Sequence, residues 1–136
     1  NWPPQMIIDS SAIVAIVKKE DDVRVFTDAL EAEPNCKMST ANFVEAAVVI
    51  DSKRDPVLSR RYDEILRDSD IKLIPVDEEQ ARIAREAYRD FGRGSGHKAR
   101  LNFGDCFAYA LARVTGEPLL YRGKDFQHTD VASALE

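Results

Sequence analysis

The feature of this sequence that most restricts its fold is the alternation of short apolar segments with longer segments of helical spacing. Apolar runs at residues 6–8, 71–76 and 119–121 have the length of buried strands, and residues 37–39 are compatible with another. Strands that alternate with helices form a parallel sheet, which needs helices on both faces. The sequence therefore predicts an α/β domain with a short parallel sheet between two layers of helices.

Helices are predicted where apolar residues recur every three or four positions, or where a capping residue opens a segment. The predicted helices cover residues 10–17, 21–33, 40–52, 56–67, 102–114 and 131–135, and a further one follows the acidic turn 77–79 and ends near residue 91. Residues 92–96 (GRGSG) interrupt this pattern, so we expect them to form a mobile loop.

Size and composition favour one globular domain. The chain has 136 residues, of which 44% are hydrophobic and 32% are charged. We assign residues 6–136 to this domain, and we expect residues 1–5 (NWPPQ) to be an added remnant or a disordered start ahead of a native Met6. Because no apolar run reaches the roughly 18 residues that span a bilayer, we expect no membrane association.

The cysteines and the net charge restrict the location and the partners. Cys36 and Cys106 lie far apart and form no CxxC pair, which argues against a disulfide framework or a zinc site and favours a reducing cytoplasm. The net charge of −5 argues mildly against a nucleic-acid partner, since phosphate binding usually requires a basic excess. An acidic pocket that binds a metal ion would partly reverse this charge locally.

Three acidic residues interrupt otherwise uncharged apolar stretches. Asp9 is the only charge between residues 6 and 17, Glu45 between 38 and 50, and Asp105 between 101 and 112. Apolar residues surround Glu45 at every helical angle, so its helix is expected to be buried nearly all round. Burying an ionised carboxylate is strongly unfavourable unless it is paired or bound to a cation.

Each acid also has an ordinary structural interpretation. Asp9 and Asp105 lie near predicted helix starts, where a carboxylate can cap free amide groups. Glu45 lies beyond the first turn of its helix, so a buried arginine would be its main structural partner. No arginine occurs within these apolar runs, which favours one explanation shared by all three acids.

Two of the acids come after predicted strands. Asp9 follows the first strand and Asp125 follows the strand at 119–121, and the carboxyl ends of parallel strands meet at one edge of the sheet. Carboxylates gathered there repel one another, and a hard divalent ion such as Mg²⁺ or Mn²⁺ relieves that repulsion. The only histidines, His97 and His128, are too few for a histidine-rich zinc site.

The blocks that carry these acids form a recognisable set: MIIDSSA with Asp9, a threonine-initiated helix with Glu45, NFGDCFAYALA with Asp105 and PLLYRGKDF with Asp125. In this order they resemble PIN domains, specifically the VapC-like toxins of bacterial toxin–antitoxin pairs. The resemblance covers nearly the whole chain from residue 6 onward. It implies a PIN-like three-layer α/β/α fold and maps three core acids onto Asp9, Glu45 and Asp105. The fourth acid is Asp125, with Asp130 as its competitor.

The resemblance also implies an activity and partners. It implies an endoribonuclease dependent on Mg²⁺ or Mn²⁺ that cuts structured RNA. It further implies a VapB-like antitoxin, whose tail enters the acidic groove, and a homodimer of the toxin.

A metal-assisted mechanism follows as a hypothesis. Asp9 and Asp105 would hold the ion, with Glu45 and Asp125 contributing directly or through water, and a bound water would be activated for in-line attack on a phosphodiester. Four short polar residues are placed to hydrogen-bond the carboxylates or the scissile phosphate, although each is more often a helix cap. These residues are Ser10, Ser11, Thr40 and Asn42.

A basic loop precedes the helix of Asp105. Arg93, Lys98 and Arg100 are candidates for gripping the RNA backbone there. A solvated surface loop is the alternative, because runs of charge usually have no partner.

Two other classes of function remain open at this stage. A receiver-type phosphoacceptor domain also places acids and Mg²⁺ at strand ends, but it needs adjacent acids, whereas Asp9 is followed by Ser10 and Ser11. A catalytically silent PIN-like domain would keep the fold and serve only as a binding module.

Overall fold

The computed structural model describes residues 5–135 of the chain. Residues 1–4 and 136 lie outside this range, and with them most of the segment that we expect to be a remnant or a disordered start.

Strands and helices alternate along the described chain much as the sequence predicts. The strands are β1 (Met6–Ile8), β2 (Cys36–Ser39), β3 (Lys72–Ile74) and β4 (Leu119–Leu120). The helices are α1 (Ser10–Lys18), α2 (Val23–Ala32), α3 (Thr40–Asp51), α4 (Pro56–Asp68), α5 (Glu78–Phe91) and α6 (Phe103–Thr115). A short 3-10 helix, Asp125–His128, follows β4.

The four strands form one parallel sheet in the order β3-β2-β1-β4. The chain builds the sheet outward from β1 through β2 to β3 and then returns to place β4 on the other side of β1. The strand order therefore reverses between β1 and β4, and in an open parallel sheet a crevice forms outside the strand ends at such a point.

Each face of the sheet is covered by its own group of helices. Met6 and Ile8 point to the face packed by α1, α2, α3 and α4, whereas Ile7 points to the face packed by α5 and α6. Both faces are buried, as a parallel sheet requires. The predicted three-layer α/β/α architecture is therefore confirmed.

Two local predictions are wrong. Residues 131–135 were predicted to be helical, but they run beside β4, where Leu119 N–H donates to Ala132 O (2.9 Å) and Ala134 N–H donates to Leu119 O (2.9 Å). A five-residue segment is too short to stabilise a helix by itself, and the open edge of β4 supplies strand hydrogen bonds instead. The second error concerns α3, which is not buried all round, because Val44 and Val48 are 56% and 62% exposed.

Cys36 and Cys106 are both buried free thiols. Within residues 5–135, no helix is long and apolar enough to cross a membrane.

Candidate active site

Four carboxylates from separate parts of the chain line one pocket of about 240 Å³. Asp9 directly follows β1, Glu45 lies in α3, Asp105 lies in the first turn of α6, and Asp125 opens the 3-10 helix after β4. The pocket lies where the strand order reverses. The structure thus brings together the four acids that the sequence singled out.

Asp9 serves two purposes with its two carboxylate oxygens. Its Oδ2 accepts hydrogen bonds from the Ser11 backbone N–H (3.0 Å) and hydroxyl (2.5 Å), which caps α1. Its Oδ1 is buried and has no hydrogen-bond partner among the described residues. The pKa of Asp9 is raised to about 6, mainly by burial and also by the nearby charge of Glu45, against the opposing bonds from Ser11. The capping interpretation therefore accounts for one oxygen and leaves the other available.

Asp105 is held in a capping box at the start of α6. Its Oδ2 accepts from the Asn102 backbone N–H (3.0 Å), while Asn102 Oδ1 accepts from the Asp105 backbone N–H (2.8 Å). The pKa of Asp105 is raised to about 8, mainly by burial and also by the neighbouring charge of Asp9 and the carboxyl of Asp125, against the opposing bond from Asn102. The acids thus destabilise one another's charged forms, as a cluster without a counter-charge must.

Glu45 is half-buried and is positioned by three contacts. Its Oε1 accepts from the Ser10 hydroxyl (2.5 Å) and from Asn42 Nδ2 (3.1 Å). The same Asn42 amide donates to Gly104 O (2.9 Å), which joins α3 to the start of α6. The carboxylate lies against Gly104 itself, at the place where any other residue would put its Cβ. Glu45 is therefore held by a fully buried asparagine and packed against a glycine.

Gly104→Ala is expected to lower activity about 10- to 100-fold without unfolding the protein. The added methyl group collides with the Glu45 carboxylate, which is the mobile end of a side chain and can be displaced. Alanine also favours the helix by up to about 1 kcal/mol, so the melting temperature should not fall. Cleavage rates and thermal melts of the variant measure both effects.

A double variant shows whether Gly104→Ala acts through Glu45. Gly104→Ala combined with Glu45→Gln should be no less active than Glu45→Gln alone, because the displaced group is already disabled. If the double variant instead lost activity by the product of the two single-variant factors, this interpretation would be contradicted.

The structure separates the two candidates for the fourth acid. Asp125 lies in the pocket, whereas Asp130 accepts from the Tyr109 hydroxyl (2.6 Å) and forms an ion pair with Arg113 (2.7 Å) outside it. In the described chain, none of the ion pairs involves Asp9, Glu45, Asp105 or Asp125. Arg122 also lines the pocket, but its guanidinium binds Asp22 (3.0 Å). The four acids are therefore not neutralised by separate arginines.

The other predicted residues differ in their placement. Ser10 and Ser11 line the pocket and bond to Glu45 and Asp9, while Asn42 lies beneath it and holds Glu45. Thr40 is the first residue of α3 and does not line the pocket.

The three basic candidates, Arg93, Lys98 and Arg100, surround a separate pocket that shares Asp125 with the acidic one. Sequence reasoning missed Gly104 and Lys124. Its only signal for Gly104 was a glycine within the first turn of a strongly predicted helix.

The donor set fits a hard divalent cation. Every charged group in the pocket that lacks a counter-charge is a carboxylate, and the unpartnered Oδ1 of Asp9 is a free anionic oxygen. Among residues 5–135, no group of three or more histidine, cysteine, aspartate or glutamate side chains is already placed to hold a metal ion. Mg²⁺ is commonly held by one or two carboxylates and keeps several waters, so a complete cage is not required.

The fold and the pocket define a class: a small parallel α/β domain with an acidic, cation-compatible site at the strand ends. The model of the PIN domain family matches residues 6–132, and the chain belongs to that family. The resemblance deduced from the motifs is therefore confirmed.

Close relatives within this family are VapC ribonucleases. Ribonuclease VapC28 of Mycobacterium tuberculosis is 53% identical over 131 residues, which cover 96% of this chain and 98% of VapC28. Ribonuclease VapC42 of the same organism is 54% identical over 129 residues, which cover 95% and 98% of the two chains. The match spans nearly the full length in both cases.

Solved structures share the fold at low sequence identity. Mycobacterium tuberculosis VapC20, described as a sarcin-ricin loop cleaving toxin, superposes with a TM-score of 0.75 at 15% identity, covering 93% of this chain and 96% of VapC20. A toxin–antitoxin complex from Klebsiella pneumoniae gives 0.70 at 18% identity, covering 95% and 97%. At these identities the likeness supports the fold alone.

Proposed function

We propose that this chain is a divalent-metal-dependent endoribonuclease and the toxin of a toxin–antitoxin pair. The near-full-length relatives named as VapC ribonucleases support the ribonuclease assignment. The metal dependence rests on one observation: the four acids line one pocket, in which Asp9 keeps a buried oxygen with no partner among the described residues.

Asp9 and Asp105 would hold the ion, and Glu45 and Asp125 would contribute directly or through water. Mg²⁺ or Mn²⁺ supplies a Lewis acid that lowers the pKa of a water for attack on a phosphodiester. Without a cation, the four carboxylates would repel the phosphate of an RNA strand. Admission of the substrate therefore depends on neutralisation of the pocket.

The residues around the acids keep the carboxylates in place. Ser11 fixes one oxygen of Asp9, Asn102 fixes one oxygen of Asp105, and Ser10 with Asn42 fixes Glu45. Each of these three acids thus has one restrained oxygen, and the second oxygen of Asp9 has no partner among the described residues and is available to a cation. Such preorganisation is what a metal-assisted nuclease requires.

The proposed ribonuclease would also have RNA contacts outside the acidic pocket and protein partners. Arg93, Lys98 and Arg100 would contact the RNA backbone beside the acidic pocket. A VapB-like antitoxin would block the acidic groove, the toxin would form a homodimer, and the pair would act in the cytoplasm.

Purified protein incubated with mixed cellular RNA tests the function. We expect cleavage in millimolar Mg²⁺ or Mn²⁺, loss of cleavage in EDTA, and recovery when the metal is restored. Cleavage that persists in EDTA would contradict the metal dependence. RNA binding without cleavage would favour a catalytically silent PIN-like module, whereas transfer of phosphate to an aspartate would favour a receiver. The family match leaves the receiver alternative without support.

A further inference from the structure

A second pocket, of about 270 Å³, lies directly beside the acidic one and has the opposite character. Its charged lining consists of Arg93, Lys98, Arg100, Lys124 and Asp125, with His128 at its edge. We call it the basic pocket. Asp125 lines both pockets, so the two adjoin at this residue.

Two distant segments form the basic pocket. One is the loop between α5 and α6, and the other is the 3-10 helix after β4, which brings Lys124 and His128 to the loop. Lys124 was not among the candidates taken from the sequence, because the basic loop and Lys124 meet only in the folded chain.

The loop is tied at its base and supported from within. Arg93 N–H donates to Leu101 O (3.0 Å), and Leu101 N–H donates to Phe91 O (2.9 Å). His97 packs edge-on against Phe91 with ring centroids 4.8 Å apart, and its Nδ1 accepts from the Ala99 backbone N–H (3.0 Å). The basic side chains therefore extend from a defined backbone.

The cations of the basic pocket are available for a ligand. Within residues 5–135, Lys98, Arg100 and Lys124 take part in neither a salt bridge nor a side-chain hydrogen bond. Arg93 makes only a long contact to Arg100 O (3.4 Å). Several cations facing one cavity repel one another, and an anion bound between them removes that repulsion. In a chain of net charge −5, this concentration of positive charge matches a phosphate.

We propose that the basic pocket binds the RNA phosphate that neighbours the cleaved one, with Lys98, Arg100 and Lys124 as its main contacts. This inference rests on the proposed ribonuclease function. With one phosphate in the acidic pocket and the next in the basic pocket, the RNA strand would run past Asp125 from one pocket to the other. The pocket positions the substrate and takes no part in bond cleavage.

The test uses Lys98→Gln, Lys124→Gln and their combination, with Lys53→Gln as a matched control. Lys53 is an exposed lysine in the turn after α3 and lines neither pocket. For cleavage of a single-stranded RNA in Mg²⁺, the double variant should raise KM about tenfold and keep kcat within about twofold. In a plot of the logarithm of the binding constant against the logarithm of the salt concentration, the slope should become shallower by about 0.7 for each cation removed. Lys53→Gln should change neither quantity.

Binding measured separately keeps this inference distinct from the ribonuclease proposal. Fluorescence anisotropy of labelled RNA, with all proteins in an Asp9→Asn background, reports affinity without requiring cleavage. Weaker binding with a smaller salt slope supports the basic pocket even if the wild-type protein cleaves nothing, and in that case only the ribonuclease proposal fails. Unchanged affinity and salt slope in the double variant overturn the assignment. An acidic peptide that binds the pocket in place of RNA would overturn it too.

Discussion

Replacing Asp9 or Asp125 by asparagine is expected to slow RNA cleavage by about a thousandfold or more, while Asp130→Asn leaves the rate within about threefold of wild type. Each of the first two changes removes an anionic oxygen from the acidic pocket. A catalytic cation contributes several kcal/mol to the transition state, and about 4 kcal/mol corresponds to a thousandfold change in rate. Steady-state cleavage of a defined RNA measures all three variants.

The asparagine variants should remain folded, so that the loss can be assigned to chemistry. Asparagine caps a helix about as well as aspartate, and an asparagine at position 9 keeps an oxygen for the Ser11 amide. Melting temperatures should therefore stay at or above that of the wild-type protein.

Asp130→Asn is the matched control, because Asp130 is an exposed acid that does not line the pocket. It loses an exposed ion pair with Arg113 that contributes at most about 1 kcal/mol. If Asp130→Asn inactivated the protein and Asp125→Asn did not, the fourth acid would be Asp130 and our assignment of the pocket would be wrong.

Without metal, the protein is expected to become less stable as the pH rises from about 5 to 8. The usual pKa of an aspartate is 3.8, whereas the fold raises the pKa of Asp9 to about 6 and that of Asp105 to about 8. Between these limits the folded chain retains protons that the unfolded chain has released. Rising pH therefore favours unfolding through this window, by several kcal/mol in total, because each pKa unit between the folded and unfolded states corresponds to about 1.4 kcal/mol.

Asp105→Asn and added metal should each remove most of this pH dependence. The variant lacks the carboxyl with the larger pKa increase and can still accept the bond from Asn102. Mg²⁺ at about 100 times its Kd should stabilise the wild-type protein by about 2.7 kcal/mol at pH 8, but the Asp105→Asn protein much less. Thermal melts across pH, with EDTA or Mg²⁺, measure both. A flat wild-type profile in EDTA would show that the fold does not raise the pKa values of Asp9 and Asp105.

Much of the architecture and three of the acids could be predicted because they leave local signals, whereas Asp125 was singled out by its position after a predicted strand and by the resemblance. A single charge in an apolar run, as at Asp9 and Asp105, is costly wherever the run is buried, so its placement is informative without coordinates. Their capping roles were also foreseeable from the helix starts. The structure shows that capping and a place in the pocket are compatible, since each acid has two oxygens.

The features that were missed depend on contacts between distant segments. The close approach of Gly104 to Glu45 joins α3 to α6, and Lys124 meets the basic loop only through the packing of the 3-10 helix. The exposure of Val44 and Val48 was missed for a related reason. A helix with apolar residues on all sides carries no internal sign of which side will face solvent.

The strand-like course of residues 132–134 beside β4 has a consequence for how copies of the protein can meet. Unpaired strand edges are templates for aggregation through intermolecular hydrogen bonds, and this segment covers the edge at β4. At the opposite end of the sheet, β3 is only three residues long and carries the exposed Lys72, which discourages further pairing. Pairing of the sheet with the sheet of another copy is thus disfavoured at both edges. A substitution that loosens residues 132–134 should promote such pairing at the edge of β4.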